Sequence, residues 1–336
     1  MNLKNKFFLV FILSITSLVI SACSDSSDSS NSNNSSKSEK SDIEWPEEEI
    51  TINIHADTGN LDTAIRQISP LIEDELDAKI KVENRPGGGQ AISQTDTQSK
   101  EADGYTFQTI TSSTTFGMAT GQIPFGPEDW KMVSSLQLEP AAIAVLDDSP
   151  LEDIDDFVDT MKENPNDLTV GGYQSDGYMR YVYYKLQKSE DFEGKWIPID
   201  TTDEVATNLL GGHIDVAVMT PSTALSAIED GDIRLLGIAS EDQIDTYKGV
   251  ETFQEQGYDM VEVLYRGLIA KDGTPKEVID KMHETIKGIT ENNDEWNKFQ
   301  ESQNQINDNR TPKELDENLK QEVEDRKEFV KELGLD

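Results

Sequence analysis

Few side chains in this 336-residue sequence have the types and spacings that catalysis or metal binding requires. The three histidines, His55, His213 and His283, lie far apart, and none has the spacing of a zinc site. The single cysteine, Cys23, excludes thiolate clusters and intramolecular disulfides. The glycine-rich residues 172–177 lack the G-x-S-x-G spacing of a nucleophile elbow. We therefore predict no catalytic residue, no metal site and no cofactor.

Four polar loops offer a different chemistry, the non-covalent binding of an anion. They are residues 56–60, 111–115, 171–177 and 220–223, and each follows a short apolar segment. In an open α/β sheet, loops of this kind gather at the carboxyl ends of the strands, where ligands bind. Helices that begin there present free backbone N–H groups and a partial positive charge. This arrangement predicts a site for a carboxylate.

The segments that must position these loops alternate between strand and helix patterns. Residues 50–54 alternate as a half-buried strand does, and the apolar residues within 61–76 recur on one helical face. Further strands are predicted at residues 80–82, 106–110, 141–146, 168–170, 216–219, 235–239 and 268–270. Strands that alternate with helices predict an α/β fold with mainly parallel sheets.

Three hydroxyl–proline pairs predict helix starts. Ser149, Thr274 and Thr311 each precede a proline, and each has a glutamate three residues further on. A hydroxyl at the N-cap, proline at the first helical position and glutamate at the third form a capping box. The last pair is predicted to open a final helix over about residues 312–333.

The start of the chain has the pattern of a secretory signal. Two lysines precede an apolar run over residues 7–20, and Ser21 and Ala22 then lead to Cys23. This pattern resembles a bacterial lipobox, in which the cysteine is acylated. We predict a lipoprotein signal peptide over residues 1–22 and lipidation of Cys23. The alternative is an ordinary signal peptide followed by an incidental cysteine.

The segment after the cysteine contains only polar residues. Residues 24–41 are Ser, Asn, Asp, Lys and Glu, which cannot bury enough surface to offset their conformational entropy. We predict a flexible tether over residues 23–45. The protein is then extracytoplasmic and lipid-anchored to the cell membrane.

The charge of the chain is strongly acidic. It has 66 Asp and Glu against 29 Lys and Arg, a formal net charge of −37. Nucleic acid is excluded as a partner, because a phosphate backbone requires a basic surface. Peripheral binding to anionic lipid is excluded for the same reason.

Four motifs carry a resemblance to a known family. The sequence V-E-N-R-P-G-G-G at residues 82–89 is followed by D-G-Y-T at residues 103–106. Further matches are L-L-G-G-H-I-D-V at residues 209–216 and G-L-I-A at residues 267–270, which precedes G-T-P. In their order, these motifs resemble those of the solute-binding proteins of tripartite tricarboxylate transporters, the TctC or Bug family.

The resemblance implies an α/β fold of the type II periplasmic-binding-protein kind, with two doubly wound domains and a ligand cleft between them. Domain 1 is expected over residues 46–143 plus 262–336, and domain 2 over residues 144–261. The protein is expected to be a monomeric receptor and not an enzyme. It would capture a small carboxylate and deliver it to the membrane permease subunits of a transporter.

The resemblance also implies the binding residues, which would hold a ligand carboxylate through backbone amides and ordered water. They are Asp57, Thr58, Gly59, Asn60, Ser112, Ser113, Thr114, Tyr173, Gln174, Ser175, Asp176, Gly177, Tyr178, Arg180, Thr220 and Ser222. Ser113 and Arg180 are the side-chain candidates among them.

Departures from the family pattern keep alternatives open. Asp57 and Asp176 add carboxylates to the two loops, so a cationic or amino-acid-like ligand competes with the anion. A receptor that presents its ligand to a membrane sensor is a second class of function. A lipid-anchored hydrolase is a third.

Overall fold

Two five-stranded sheets form the framework of the protein, and helices cover them in a mixed α/β arrangement. The computed structural model describes residues 44–334, except Thr58, Asn166, Gln174 and Asp176 and the side chain of Asp245. The predicted signal peptide and Cys23 lie outside the described residues. The predicted α/β class with two doubly wound sheets is confirmed.

The first sheet combines the start of the described chain with a strand from near its end. Its strands are β1 (Ile50–Ile54), β2 (Ile80–Asn84), β3 (Thr106–Thr111), β4 (Trp130–Pro140) and β10 (Val263–Lys271). Their order across the sheet is β2-β1-β3-β10-β4. Ile50, Ile52 and Ile54 of β1 are all fully buried, which secures the centre of this sheet.

The second sheet is formed by the middle of the chain. Its strands are β5 (Ala142–Leu146), β6 (Val170–Tyr173), β7 (Trp196–Ile199), β8 (Val216–Met219) and β9 (Ile233–Ile238). Their order is β7-β6-β8-β5-β9. The two sheets therefore share one topology, in which the strand that follows a crossing between the sheets, β10 or β5, occupies the fourth position.

The prediction of mainly parallel sheets is confirmed in part, because four of the five strands in each sheet run in the same direction but two of the four strand pairs are antiparallel. Strands β1, β2 and β3 are parallel, as are β6, β7 and β8. However, β10 is antiparallel to both β3 and β4, and β5 is antiparallel to both β8 and β9. Strand β5 follows β4 of the first sheet almost directly, and in the described chain β10 follows β9 of the second sheet with no α-helix between them.

The chain passes between the sheets at two adjacent places. It leaves the first sheet at Ala141 and returns between Ile238 and Val263. Two main-chain hydrogen bonds join the crossings: Ala141 N–H donates to Glu262 O (3.0 Å), and Ala239 N–H donates to Ala141 O (2.8 Å). Within the returning connection, Glu262 N–H donates to Ala239 O (2.8 Å). The predicted domain boundaries remain a prediction.

Ten α-helices lie in the described part of the chain. They are α1 (Asn60–Leu76), α2 (Ala91–Gln98), α3 (Ser112–Ala119), α4 (Ile154–Glu163), α5 (Tyr178–Glu190), α6 (Thr202–Leu210), α7 (Leu225–Glu229), α8 (Lys276–Asn292), α9 (Asp294–Ser302) and α10 (Pro312–Glu332). The capping box predicted at Thr311 is confirmed, because Thr311 and Glu314 exchange side-chain and backbone hydrogen bonds at the start of α10.

The other two predicted capping boxes do not form, although α8 begins within one residue of its predicted start. Helix α4 begins four residues after the predicted proline position, and Asp153 is its N-cap, accepting from Asp156 N–H at 2.8 Å. Asp at the N-cap serves as well as Ser, so the later residue competes with Ser149. Thr274 donates its hydroxyl to Lys271 O (2.8 Å) in a turn, and α8 begins at Lys276.

Helix α10 packs against helices from both halves of the fold. The Phe329 ring lies 5.9 Å from that of Phe116 on α3, and 5.3 and 5.0 Å from those of Tyr181 and Tyr184 on α5. The Arg326 guanidinium stacks 3.5 Å from the centroid of the Tyr181 ring. This aromatic cluster, with Phe329 fully buried, joins the helices of the first sheet to α5 of the second.

Candidate functional site

A cavity of about 280 Å³ lies where elements of the two sheets face each other. The first sheet and its helices contribute Asn60, Ser113, Glu139, Leu264 and Arg266 to its wall. The second sheet and its helices contribute, among others, Tyr173, Tyr178, Thr202, Asp203, Thr220 and Ser222. The wall is therefore shared by the two halves of the fold, as a cleft between domains requires.

Four helices begin at this cavity. Asn60, Tyr178 and Thr202 are the first residues of α1, α5 and α6, and Ser113 is the second residue of α3. The first turn of a helix has backbone N–H groups without intrahelical partners, and it carries a partial positive charge. Four such turns converge on one volume, which makes the wall a binding surface for an anion.

Two of the four helices have glycine at the N-cap. Gly59 precedes α1 and Gly177 precedes α5, and neither helix has a side-chain cap hydrogen bond. By contrast, the Thr201 hydroxyl accepts from Glu204 N–H at the start of α6 (3.3 Å). A glycine cap leaves the first-turn N–H groups of α1 and α5 available to an anion. Gly59 also has φ 140°, which side-chain-bearing residues rarely adopt.

The loop before α1 is held by an asparagine from the V-E-N-R-P-G motif. Asn84 Nδ2 donates to the carbonyl oxygens of Ala56 and Asp57, both at 3.1 Å, and to Asp62 Oδ1 at 2.8 Å. Burial raises the pKa of Asp62, but hydrogen bonds from Arg66 and Asn84 outweigh this, so its pKa lies below the usual value. Asn84 and Asp62 thus hold the loop before α1 together.

Six of the predicted binding residues line the cavity: Asn60, Ser113, Tyr173, Tyr178, Thr220 and Ser222. Asp57, Gly59, Ser175 and Gly177 lie in the loops beside it and are not part of its wall. Thr58, Gln174 and Asp176 lie outside the described residues. Residues from all four predicted loops thus line one cavity.

Two of the predicted residues have hydroxyls that are engaged elsewhere. The Ser112 hydroxyl accepts from Tyr265 N–H (3.0 Å), and Thr114 Oγ1 caps α3 and donates to Gln90 Oε1 (2.7 Å). Both are buried, so of the segment 112–114 only the exposed Ser113 faces the cavity. These two hydroxyls support the start of α3 and do not form the cavity wall.

Arg180 also lies away from the cavity wall. Its guanidinium donates to Gln187 Oε1 (3.0 Å) and lies 5.4 Å from the ring centroid of Tyr183 and 5.7 Å from that of Trp196. Burial lowers the pKa of this guanidinium. As the third residue of α5, Arg180 is rotated about 200° from Tyr178, which turns it toward β7 and away from the ligand side.

Sequence reasoning missed all three charged residues of the cavity wall, Glu139, Asp203 and Arg266. Glu139 and Arg266 lie on β4 and β10, and Arg266 Nη2 donates to Glu139 Oε2 at 3.2 Å. Ser222 donates its hydroxyl to Glu139 Oε1. The two residues are 127 positions apart in the sequence, so no local pattern signals that they meet.

A second, more open depression of about 510 Å³ lies beside the C-terminal end of α5, lined by Pro165 and by residues between 184 and 195. Only one half of the fold lines it, and no helix begins there. The cavity between the sheets is therefore the candidate site. Across the described ranges, no group of three or more His, Cys, Asp or Glu side chains is arranged to hold a metal ion.

Two α/β sheets joined by paired crossings, with a cavity between them at which four helices begin, define the class of periplasmic solute-binding proteins. The family model of the tripartite tricarboxylate transporter family receptor, TctC, matches residues 64–335. The chain therefore belongs to this family, whose members are receptors and not enzymes. Within the part of the chain that the structure describes, no helix is long and apolar enough to cross a membrane.

Similarity to known proteins supports this assignment. A protein of Cupriavidus necator, "UPF0065 protein in gbd 5'region", is 27% identical over 246 residues, which cover 73% of this chain and 75% of that one. The crystal structure of a Polaromonas TctC solute-binding protein without ligand has a TM-score of 0.78 at 21% identity, covering 86% of this chain and 99% of that one. MatC of Rhodopseudomonas palustris with bound malate has a TM-score of 0.64 at 19% identity, covering 85% and 100%.

Proposed function

We propose that this receptor captures a small carboxylate in the cavity between the two sheets and delivers it to the membrane permease subunits of a tripartite transporter. It acts outside the cytoplasm, held at the membrane by a lipid on Cys23. The observation that carries the proposal is the convergence of four helix N-termini, two of them with glycine caps, on one cavity. Fold similarity to a malate-bound protein supports the same ligand chemistry.

The energetics of capture fit hydrogen bonding without a covalent step. A micromolar dissociation constant corresponds to roughly 8 kcal/mol. Three to five charge-assisted hydrogen bonds of about 1.5–3 kcal/mol each account for it, since each carboxylate oxygen accepts more than one. The first-turn N–H groups of the four helices and the hydroxyl of Ser113 offer enough donors for this number. The overall charge of −37 does not prevent anion binding, because exposed charges beyond about 8 Å are screened.

Native mass spectrometry of gently released protein, followed by isothermal titration with mono-, di- and tricarboxylates, tests the proposal. We expect a co-purified acid or saturable binding of at least one carboxylate. If none of the acids binds while a cationic solute does, the proposal fails.

A charge variant locates the site. Asn60→Asp places a carboxylate at the start of α1 and should weaken the binding of the acid identified above by about tenfold or more, because two like charges then face each other at short range. Asn318→Asp makes the same change of charge on the exposed face of α10 and should leave the affinity unchanged. Equal effects of the two variants would place the ligand elsewhere.

A further inference from the structure

The ion pair between Glu139 and Arg266 occupies the cavity wall, and anion binding alone does not account for it. Glu139 is 3% exposed and Arg266 is 8% exposed. Arg266 Nη2 donates to Glu139 Oε2 at 3.2 Å, and its Nη1 donates to Gln305 Oε1 at 3.0 Å. Ser222, which follows β8 of the second sheet, donates its hydroxyl to Glu139 Oε1. Glu139 is thus held from both sides of the cavity.

Packing does not explain why charged residues occupy this position. The desolvation of a buried ion pair commonly outweighs the attraction between its charges, and apolar residues of similar volume often stabilise a fold more. The pair also retains hydrogen-bonding capacity. An ionised carboxylate has about four acceptor positions, and the described side chains supply one donor to each oxygen of Glu139. Arg266 Nε donates to no described group.

The charges around the cavity favour a ligand with two kinds of polar group. The helix N-termini and Arg266 attract a carboxylate. The Glu139 carboxylate in the same wall repels one that comes close to it, but accepts a hydrogen bond from a neutral or positive donor. A ligand that carries a carboxylate and a donor on the adjacent carbon satisfies both parts of the wall. A plain carboxylate leaves the Glu139 acceptors without a ligand partner.

We infer that Glu139, held in place by Arg266 and Ser222, is the specificity-determining residue of the cavity and selects carboxylates that bear an ammonium or hydroxyl donor. This inference rests on the proposed function. Ammonium and hydroxyl share the chemistry that Glu139 recognises, and matched ligands separate them.

Isothermal titration with ligands of one carbon skeleton tests the inference. The sets are propionate, lactate and alanine; succinate, malate and aspartate; and glutarate, 2-hydroxyglutarate and glutamate. In the set that binds, the hydroxy acid or the amino acid should bind about tenfold or more tightly than the plain acid, as expected for a hydrogen bond to a charged acceptor. Which of the two binds more tightly identifies the donor.

Variants assign the preference to Glu139. Glu139→Gln should lower the ratio of affinities toward one, whereas Asp203→Asn, which removes the other carboxylate of the wall, should leave the ratio unchanged. If circular dichroism shows that Glu139→Gln does not fold, Glu139→Asp, which shortens the reach by one methylene, should lower the ratio instead.

The outcomes separate this inference from the function on which it rests. If the three analogues of the skeleton that binds have equal affinities, Glu139 does not determine specificity. Carboxylate capture then still stands. Loss of the preference in Asp203→Asn but not in the Glu139 variants has the same meaning. Binding of no member of any set overturns both.

Discussion

Two buried titratable groups, Glu322 on α10 and His55 after β1, give the stability of this protein opposite dependences on pH. Burial raises the pKa of Glu322 from 4.5 to about 7, because the ionised form is poorly solvated, and the nearby Arg326 only partly offsets this. Its Oε2 atom is buried. Burial lowers the pKa of His55 from 6.5 to about 4, against a hydrogen bond with Thr109 O (3.1 Å) that favours the charged ring.

The signs follow from which state binds more protons. Between pH 4.5 and 7 the folded state holds a proton on Glu322 that the unfolded state has lost, so stability falls as pH rises. Between pH 4 and 6.5 the unfolded state holds a proton on His55 that the folded state lacks, so stability falls as pH falls. Each shift is about 2.5 pKa units, or about 3 kcal/mol at 1.36 kcal/mol per unit.

Glu322→Gln replaces the carboxyl by a neutral group of the same shape. The free energy of unfolding of this variant relative to the natural protein should rise by about 3 kcal/mol between pH 4.5 and 8. For His55→Gln the same difference should rise by about 3 kcal/mol from pH 7 down to pH 4, whatever its constant offset from lost packing. The two difference curves are expected to be near mirror images.

Urea unfolding followed by circular dichroism at half-unit pH steps measures both curves, and the differences cancel the titration of all other groups. Glu328→Gln changes an exposed carboxylate on the same helix and should give a flat curve within about 0.5 kcal/mol. A flat curve for Glu322→Gln would refute the argument that burial controls this carboxyl. A curve that falls with pH would show that Arg326 dominates it.

Three further predictions concern other parts of the chain. Phe329→Ala removes a fully buried ring between α3 and α5 and should lower the free energy of unfolding, measured by urea titration, by about 3–5 kcal/mol. A loss below about 1 kcal/mol would contradict the packing described here. Thr311→Ala removes the capping box of α10 and should cost about 1 kcal/mol in the same assay, whereas no change would mean that the cap is redundant. Cys23→Ser should release the protein from the membrane fraction without changing its ligand affinity, and retention in membranes would exclude the predicted lipid anchor.

Much of the architecture could be predicted from the sequence, because its strands are apolar and bounded by polar loops. Strand β1 alternates cleanly, and β8 is a short apolar run. Strand β4 was missed, since its sequence WKMVSSLQLEP mixes serine and glutamine with apolar residues on buried positions. The direction of β5 and β10 could not be predicted either, because it depends on where the chain crosses between the sheets.

The site was partly predictable for a related reason. A helix start is a local feature, so loops that end in one could be identified, and Asn60, Ser113 and Tyr178 line the cavity. Whether a given side chain lines the cavity is not set by the local sequence. Arg180 lies two residues after Tyr178, yet the helical turn directs it to the aromatic rings of Tyr183 and Trp196. The approach of Arg266 to Glu139 depends on the pairing of β10 with β4.

The hydrogen bonds among Ala141, Ala239 and Glu262 have a mechanical consequence. Two main-chain bonds tie Ala141 of the outgoing connection to Ala239 and Glu262, and a third ties the two ends of the returning connection to each other, so neither connection moves without the other. We expect relative motion of the two sheets to be a hinge rotation about these connections. An opening of a few degrees at this hinge displaces the far rim of the cavity much more than its base.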